Sequence, residues 1–309
     1  MTLLFTHPSA LNHTTPPHVH EQPARLTAVL NALADLGLDT RDAPVADDAH
    51  ILRCHPQSYL STIRAKVPAS GWHSLDPETD NETFLSPTSA EAIWRAAGGA
   101  IAATDAVLDG TSKNAFVAMR PPGHHAEVAR PMGFCIFGNV AIAAKHALSR
   151  GARRVAVLDF DVHHGNGTQA LLQDDPRCLI VSSHQLPLWP NSGAADDTGP
   201  HGTVLNLPLG VGTGEVEALA VWDRALRRVA QHTPDLIFIS AGFDAHQDDP
   251  LADLGWTPTT YAKLTKRITA LARTLCQGRV VSVLEGGYDL DALAACARAH
   301  VIELQKAAT

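Results

Sequence analysis

Short runs of apolar and β-branched residues recur along this 309-residue chain, and longer segments with apolar residues three and four positions apart lie between them. The short runs predict buried β-strands, and the longer segments predict amphipathic helices. Strands are predicted at residues 3–6, 115–119, 155–160, 179–182, 204–207, 236–240 and 280–284. Helices are predicted at residues 23–36, 89–108, 139–149, 215–231, 258–276 and 290–304.

The alternation of strands and helices predicts an α/β fold. Near-continuous apolar strands are typical of a parallel sheet that helices cover on both faces. The chain shows no internal repeat and no low-complexity linker, so we expect residues 1–309 to form one domain. Three irregular stretches, at residues 72–87, 120–133 and 184–202, are long for connections in a compact domain, and such loops are often functional.

Composition narrows the classes of function. The net charge is −8 and no block of Lys and Arg stands out, which argues against a nucleic-acid partner. No stretch of about twenty apolar residues predicts a membrane-spanning helix, and the N-terminal segment lacks signal-peptide features, so we expect a cytoplasmic protein with no membrane partner. The five widely spaced cysteines form no CxxC pair, which favours neither a disulfide framework nor a cysteine zinc site. The sequence does not decide between a monomer and a homo-oligomer.

Four predicted strands run directly into polar segments that contain glycine. These segments are RPPGHHAE after residue 119, DFDVHHGNGTQ after residue 158, AGFDAHQDDP after residue 240 and EGGYDLDAL after residue 284. In open parallel sheets, ligands bind beyond the carboxyl ends of the strands. If these four strands are neighbours, the polar residues after them converge on one crevice.

The second of these segments offers metal ligands. Asp159, Asp161 and His163 alternate with a period of two, so their side chains project to one side if the strand conformation continues. Asp161 and His163 could then bind one metal ion, with Asp244 as the third ligand. Two Asp and one His with an open position suit a catalytic zinc. The alternative, which a DxH pattern by itself would favour, is that Asp159 and Asp161 cap the following helix and the histidines are exposed.

Two further strand ends carry groups suited to proton transfer and charge stabilisation. His124 and His125 follow a Pro-Gly turn, and an imidazole beside a metal site can act as base and later as acid near neutral pH. Tyr288 follows a Gly-Gly pair, and its hydroxyl can stabilise a developing oxyanion. In isolation, a histidine pair is more often a surface feature and such a tyrosine more often anchors a turn. Their position after predicted strands favours the functional interpretation.

The chain resembles the histone deacetylase family in five ordered motifs, which are RPPGHHA, GFCIFGN, DFDVHHGNGTQ, SAGFDAH and EGGY. That family includes bacterial acetylpolyamine amidohydrolases and acetoin-utilization proteins, and the resemblance runs from about residue 21 to residue 288. HEQPAR at residues 20–25 is similar to an early motif of the family, although the family more often has Pro where His20 stands. The resemblance implies a deacetylase with the three-layer α/β/α sandwich of the arginase and deacetylase type.

The resemblance also implies two metal ions. One catalytic zinc ion per chain is expected at Asp161, His163 and Asp244. A structural monovalent cation, usually potassium, is expected near Asp159, Asp161, His163 and Ser182. The implied partner is an acylated amine substrate.

The resemblance assigns the chemistry to five residues. His125 is expected to be the general base and acid, with His124 as an electrostatic partner that Asp159 holds. Asn166 stands where it faces His125; histone-type members have Asp there, and Asn is usual in the class II-like branch. Because Asn carries no charge, we expect His125 to stay neutral more readily. Tyr288 is expected to donate to the carbonyl oxygen and stabilise the tetrahedral intermediate.

The choice of substrate depends on the walls of the pocket. Gly133, Phe134 and Trp189 are expected to line a narrow tunnel for the acyl chain. Leu251 stands where a polyamine-selective relative carries an acidic gatekeeper, so we expect acyl-lysine or a small acylamide rather than acetylpolyamine. Nearby acidic residues could supply the missing charge and restore a polyamine preference. These residues are Asp76, Glu78, Asp80 and Glu82.

Two other functions compete with this prediction. An arginase-like hydrolase with two manganese ions would share the fold, and it would need additional carboxylates such as Asp159 and Asp248 beside the first ion. A module that binds acyl-amines without catalysis would be expected to lack the tyrosine, the histidine pair or a metal ligand. All of these groups are present here, and the histidine pair and EGGY favour the deacetylase.

Overall fold

A parallel sheet of eight strands forms the centre of the structure, a computed structural model that describes residues 1–79 and 81–309. The strands are β1 (Thr2–Thr6), β2 (Asp39–Asp42), β3 (His73–Ser74), β4 (Phe84–Leu85), β5 (Asn114–Val117), β6 (Val155–Asp159), β7 (Cys178–Gln185), β8 (Val204–Leu209), β9 (Leu236–Ala241) and β10 (Val280–Leu284). β3 and β4 pair in a separate antiparallel hairpin. The other strands form the sheet in the order β2-β1-β5-β10-β9-β6-β7-β8.

Helices surround this sheet. They are α1 (Ser9–Asn12), α2 (Pro23–Leu33), α3 (Asp48–Ile51), α4 (Gln57–Ala65), α5 (Ser89–Leu108), α6 (Asn139–Ser149), α7 (Asn166–Leu172), α8 (Glu215–His232), α9 (Pro258–Cys276) and α10 (Leu290–Ala308). α10 packs against α2 and α9, and α5 packs against α6. Every residue of β5, β6, β9 and β10 is buried, which requires helices on both faces of the sheet. The predicted three-layer α/β/α fold is confirmed. No helix among the described residues is long and apolar enough to span a membrane.

Each predicted strand and helix is present, but several ends differ. The helix predicted at residues 23–36 ends at Leu33. Leu36 still packs against the core, but it lies in the turn that follows, where Gly37 has φ +62°. The strand predicted at residues 155–160 ends at Asp159. The strand predicted at residues 179–182 is longer, because the polar residues at its end are also buried. Apolar spacing marks the buried part of an element but not its hydrogen-bonded limit.

Some elements carry no strong pattern and are absent from the prediction. β2 has the sequence DTRD and forms an edge of the sheet beside β1, so only one side of it is paired. α7 follows the DFDVHHG segment directly, and α4 lies in a stretch that the prediction leaves unassigned. The irregular stretch at residues 72–87 contains the small hairpin of β3 and β4.

The strands that precede the four polar segments are consecutive in the sheet. β5, β10, β9 and β6 lie side by side and run parallel. Their carboxyl ends therefore share one edge, and the residues that follow them meet there. This adjacency is the condition on which the predicted crevice depends, and the sheet order satisfies it.

Candidate active site

Asp161, His163 and Asp244 form a buried cluster at the carboxyl edge of the sheet. Nδ1 of His163 lies 3.1 Å from Oδ1 of Asp161 and 3.1 Å from Oδ2 of Asp244. One potential ligand atom from each side chain lies within 4.8 Å of the other two. The structure thus brings together the side chains that the sequence predicts as one ligand set.

Backbone amides and glycines hold the two carboxylates. The Gly286 amide donates to Oδ2 of Asp161 at 2.9 Å, and the Val162 amide donates to Oδ1 of Asp244 at 2.8 Å. A Cβ at Gly286 would lie 2.6 Å from Oδ2 of Asp161 and closer still to Oδ2 of Asp244. A Cβ at Gly242 would also collide with Asp161. The carboxylates occupy space that any larger residue would fill.

The segment after β6 does not continue as a strand. The Asp161 amide donates to Oδ1 of Asp159 at 3.1 Å, and the His163 amide donates to Oδ1 of Asp161 at 2.9 Å. These bonds close a loop that turns the side chains into the site, so the period-two explanation for their convergence is wrong. The helix-capping alternative is also wrong, because α7 begins after Gly165 without a side-chain cap.

The donor set of this cluster fits a zinc ion. It offers carboxylate oxygens and one imidazole nitrogen, which are atoms that zinc binds in proteins. Burial lowers the pKa of His163, but hydrogen bonds and charge from Asp161 and Asp244 outweigh it and raise the pKa to about 10. The site therefore attracts positive charge, and a divalent cation would relieve the repulsion between two buried carboxylates.

Neighbouring groups do not extend the cluster to a second metal within the described residues. The Asp248 side chain is 64% exposed, and Asp159 is hydrogen bonded to His124. His124, Cys135 and Glu285 also place potential ligand atoms within 4.8 Å of one another. Burial raises the pKa of the Cys135 thiol well above its usual range, which disfavours the thiolate form that binds metals. The geometry gives the two-manganese alternative no support.

The two histidines of the GHH turn are buried and electrically different. Nδ1 of His124 lies 3.0 Å from Oδ2 of Asp159, whereas Nδ1 of His125 lies 2.7 Å from Oδ1 of Asn166. Burial lowers the pKa of His124, but Asp161 and Asp159 outweigh it and hold the pKa well above its ordinary value. Burial and the charge on His124 hold the pKa of His125 well below it. The surface-pair alternative is wrong, and His125 is the neutral member.

A cavity of about 320 Å³ opens beside His125. Its lining consists of Glu82, His125, Gly133, Phe134, His163, Leu188, Trp189, Leu251 and Tyr288. The rings of His125 and Trp189 meet edge to face with centroids 4.7 Å apart. Gly133 has φ +53°, and a Cβ there would lie 2.5 Å from the His125 ring and 2.6 Å from Trp189. The predicted wall residues therefore line one cavity together with His125 and with His163 of the Asp-His-Asp cluster.

Tyr288 forms another wall of this cavity. Its ring packs 5.6 Å from Phe134 between centroids, and the Arg25 guanidinium lies 4.8 Å from its ring centre. Asp249 accepts hydrogen bonds from the Tyr288 amide at 2.7 Å and the Leu251 amide at 3.0 Å, so one carboxylate positions two walls. Desolvation raises the pKa of Tyr288 well above its usual range, which keeps its hydroxyl protonated as a donor.

The acidic residues named as alternative gatekeepers separate in space. Glu82 lines the active-site cavity. Asp76 and Glu78 line a different cavity of about 530 Å³ beside α4, which contains none of the predicted catalytic residues. Asp80 lies outside the described residues. Among the members of this group that the structure describes, Glu82 is thus the one in a position to meet a substrate.

Ser182 lies beside Asp159, because the two residues are register partners in β7 and β6. Its hydroxyl hydrogen bonds to Nδ1 of His184 at 2.9 Å. Ser182 and Asp159 are both buried and adjoin the loop that carries Asp161 and His163. The residues predicted for a monovalent cation are therefore close neighbours along two strands.

The prediction assigns no role to a buried ion network below Tyr288. Glu21 accepts from Arg25 at 2.9 Å and also pairs with Arg120. Arg25 donates in turn to the carbonyl oxygens of Gly287 at 2.6 Å and Glu285 at 2.5 Å, so this network fixes the turn before Tyr288. Glu21 and Arg25 stand in the HEQPAR motif, and Arg120 directly precedes the candidate catalytic histidines in RPPGHH. Their place in these motifs was the sequence feature that could have predicted the network.

Comparisons with known proteins agree with this geometry. A family profile described as histone deacetylase domain matches residues 18–304. Histone deacetylase 14, chloroplastic, of Arabidopsis thaliana is 39% identical over 94% of this chain and 74% of its own length. Polyamine deacetylase HDAC10 of Mus musculus is 37% identical over 89% of this chain and 43% of its own length.

A solved structure extends the comparison to the fold. The crystal structure of the HDA15 HD domain matches with a TM-score of 0.91 and 30% sequence identity, over 98% of this chain and 91% of that one. The parallel sheet, the buried Asp-His-Asp cluster and the histidine pair thus occur in a chain whose sequence matches one family profile almost throughout. This chain belongs to the histone deacetylase family.

Proposed function

We propose that this chain is a zinc-dependent amidohydrolase that removes an acetyl or other acyl group from an acyl-lysine-like amine. Family membership supports deacetylase activity. The observation that carries the proposal is the buried cluster of Asp161, His163 and Asp244, whose His163 lines the same cavity as His125 and Tyr288. Residues 1–309 would act as a single catalytic domain.

The proton transfers are proposed to depend on His125. Asp161, His163 and Asp244 would hold zinc, which when bound supplies a Lewis acid for the acyl carbonyl and lowers the pKa of water. His125 faces Asn166 through Nδ1, which leaves Nε2 to accept the proton of the attacking water. As the C–N bond breaks, the same nitrogen donates that proton to the leaving amine.

The neighbouring residues support both halves of this cycle. His124 is held by Asp159 and carries positive charge beside His125, with ring centroids 3.9 Å apart. That charge prevents His125 from retaining the proton and so favours its delivery to the amine. Tyr288 donates its hydroxyl hydrogen to the carbonyl oxygen as negative charge develops there. Trp189 and Phe134 exclude water from the acyl chain.

Leu251 supports an acyl-lysine or small acylamide substrate, because an apolar side chain in the cavity lining offers no charge or hydrogen bond to a second ammonium group. Glu82 at the same cavity supports acetylpolyamine as the second candidate, and one relative is named a polyamine deacetylase. Rates on an acetyl-lysine peptide and on acetylated polyamines decide between them. A preference of tenfold or more for the polyamine would overturn the acyl-lysine proposal.

A potassium ion held by Asp159, Asp161, His163 and Ser182 is part of the proposal. Hard oxygen donors from two adjacent strand ends suit such an ion. Exchanging potassium for a bulky organic cation at constant ionic strength should lower the thermal midpoint of the wild-type protein. Equal midpoints in the two salts would contradict the potassium site.

The activity itself is tested by acetate release from an acetyl-lysine peptide. Asp161→Ala should lose zinc and activity together, and His125→Ala should keep zinc but lose turnover by a factor of about 10² to 10⁴. His73→Ala changes an exposed histidine and serves as the matched control. Binding of acyl-amines without acetate release by the zinc-loaded wild type would favour the non-catalytic binding module instead.

A further inference from the structure

The side-chain amide of Asn166 lies between two different partners. Its Oδ1 is 2.7 Å from Nδ1 of His125, and its Nδ2 is 2.9 Å from Oε1 of Glu127 and 3.4 Å from Sδ of Met132. Glu127 is the second residue after the histidine pair, and its amide donates to the Arg130 carbonyl at 3.0 Å across a short loop. The chain His125–Asn166–Glu127 thus runs from the active site into the loop.

The chemistry of these atoms fixes the orientation of the Asn166 amide. An ionised carboxylate and a thioether sulfur only accept hydrogen bonds, so the NH₂ group must face Glu127 and Met132. The carbonyl oxygen must then face His125. A carbonyl oxygen only accepts, so Nδ1 of His125 must carry the hydrogen and Nε2 must keep its lone pair.

We propose that Glu127 is a positioning residue that sets the tautomer of His125 through Asn166. The inference rests on the proposed role of His125 as general base. Glu127 is absent from the lining of the catalytic cavity and instead lines, together with Asn166, a separate cavity of about 250 Å³. Its effect therefore reaches the reaction through the amide and not through contact with substrate.

Charge reversal provides the decisive test. In Glu127→Lys, an ammonium group can only donate, so the Asn166 amide turns its oxygen away from His125 and presents its NH₂ group instead. His125 must then accept at Nδ1 and carry its hydrogen on Nε2, where it cannot act as a base. Turnover should fall by about 10² or more, since a wrong tautomer has large effects in other hydrolases. KM should change little, and zinc content should stay the same.

The second change is Asn166→Asp, which sets two carboxylates against each other at the Glu127 contact. This variant should also lose turnover. The double variant Glu127→Lys with Asn166→Asp pairs an ammonium with a carboxylate and returns an acceptor to Nδ1 of His125. It should recover turnover to within about tenfold of wild type, a coupling that two independent structural defects would not show. Glu217→Lys, an exposed charge reversal on α8, is the matched control.

Two readouts separate this inference from the proposed function. Nitrogen-15 spectra of labelled histidine, with His125 assigned from His125→Ala, should show an unprotonated Nε2 in wild type and an unprotonated Nδ1 in Glu127→Lys. If wild type releases acetate but Glu127→Lys keeps full turnover, or the double variant is no better than the product of the single losses, Glu127 has no positioning role. If the zinc-loaded wild type releases no acetate from any acyl-amine, the proposed function fails, and the spectra still test the tautomer.

Discussion

Replacing Gly286 with alanine would place a methyl group between the two carboxylates of the proposed zinc site. Gly286 is the second residue after β10 and donates its amide hydrogen to Asp161. Its backbone approaches so closely that the new Cβ would lie 2.6 Å from Oδ2 of Asp161 and closer still to Oδ2 of Asp244. The perturbation adds one carbon atom and changes no charge.

The size of the effect follows from these distances. Real Cβ contacts essentially never fall below 3.0 Å, so Asp161 must retreat by about 0.4 Å and Asp244 by more. Protein metal sites tolerate deviations of about 0.2 Å in ligand distance. The surrounding strand ends are buried and close packed, which prevents the backbone from absorbing the shift. Zinc affinity should therefore fall by about 10- to 100-fold or more, the range seen when groups that orient metal ligands are changed.

The assay is a competition for zinc between the protein and a chromophoric chelator. Gly210→Ala is the matched control, because nothing lies within 4 Å of the Cβ it would add. Circular dichroism and thermal unfolding should show that Gly286→Ala remains folded. Wild-type zinc affinity in a folded Gly286→Ala protein would refute the assignment of these carboxylates as ligands.

Three further predictions follow from the site and the core. Tyr288→Phe should lower kcat by about two orders of magnitude with unchanged zinc content; unchanged turnover would exclude Tyr288 as the donor. Burial lowers the pKa of His300, which hydrogen bonds to Thr265 and Ser282, to about 3. The unfolded chain therefore binds the proton first below about pH 6.5, so this stabilisation is full above that pH and is lost as the pH falls toward 3. Between pH 7.5 and 5, wild type should lose about 2 kcal/mol more unfolding free energy in urea titrations than His300→Gln, and equal losses would contradict this. Leu251→Glu should shift relative kcat/KM toward acetylpolyamines by about tenfold or more, and an unchanged ratio would remove Leu251 from substrate choice.

The fold was predictable from the sequence in those strands where burial on both faces of the sheet requires apolar residues. The strands at residues 155–160 and 280–284 lie in the centre of the sheet, and two-sided burial required continuous apolar runs there. β2 has no such requirement at the edge, so its polar sequence DTRD left no signal. The loop after Asp159 was misjudged because side-chain carboxylates, and not a neighbouring strand, satisfy its amides.

The candidate site was predictable as a set of residues but not as a set of contacts. The segments after four predicted strands contained the Asp-His-Asp cluster, the histidine pair and Tyr288, so these residues could be named before the sheet order was known. Asn166 and Glu127 are 39 residues apart in the sequence, and so are Asp249 and Tyr288, whose amide donates to the Asp249 carboxylate. A local sequence pattern therefore could not predict either contact. The sequence also could not show which acidic loop residue lines the active-site cavity. The path of the loop places Glu82 in that cavity and Asp76 in the separate cavity beside α4.

We propose one catalytic zinc ion at Asp161, His163 and Asp244, and a titration with zinc tests this most directly. Protein stripped by a chelator is titrated with zinc while acetate release from an acetyl-lysine peptide is measured. The rate of acetate release should rise linearly and stop rising at one zinc per chain, with no activity at any zinc level in Asp161→Ala. Full activity without zinc, or a requirement for two manganese ions per chain, would contradict it.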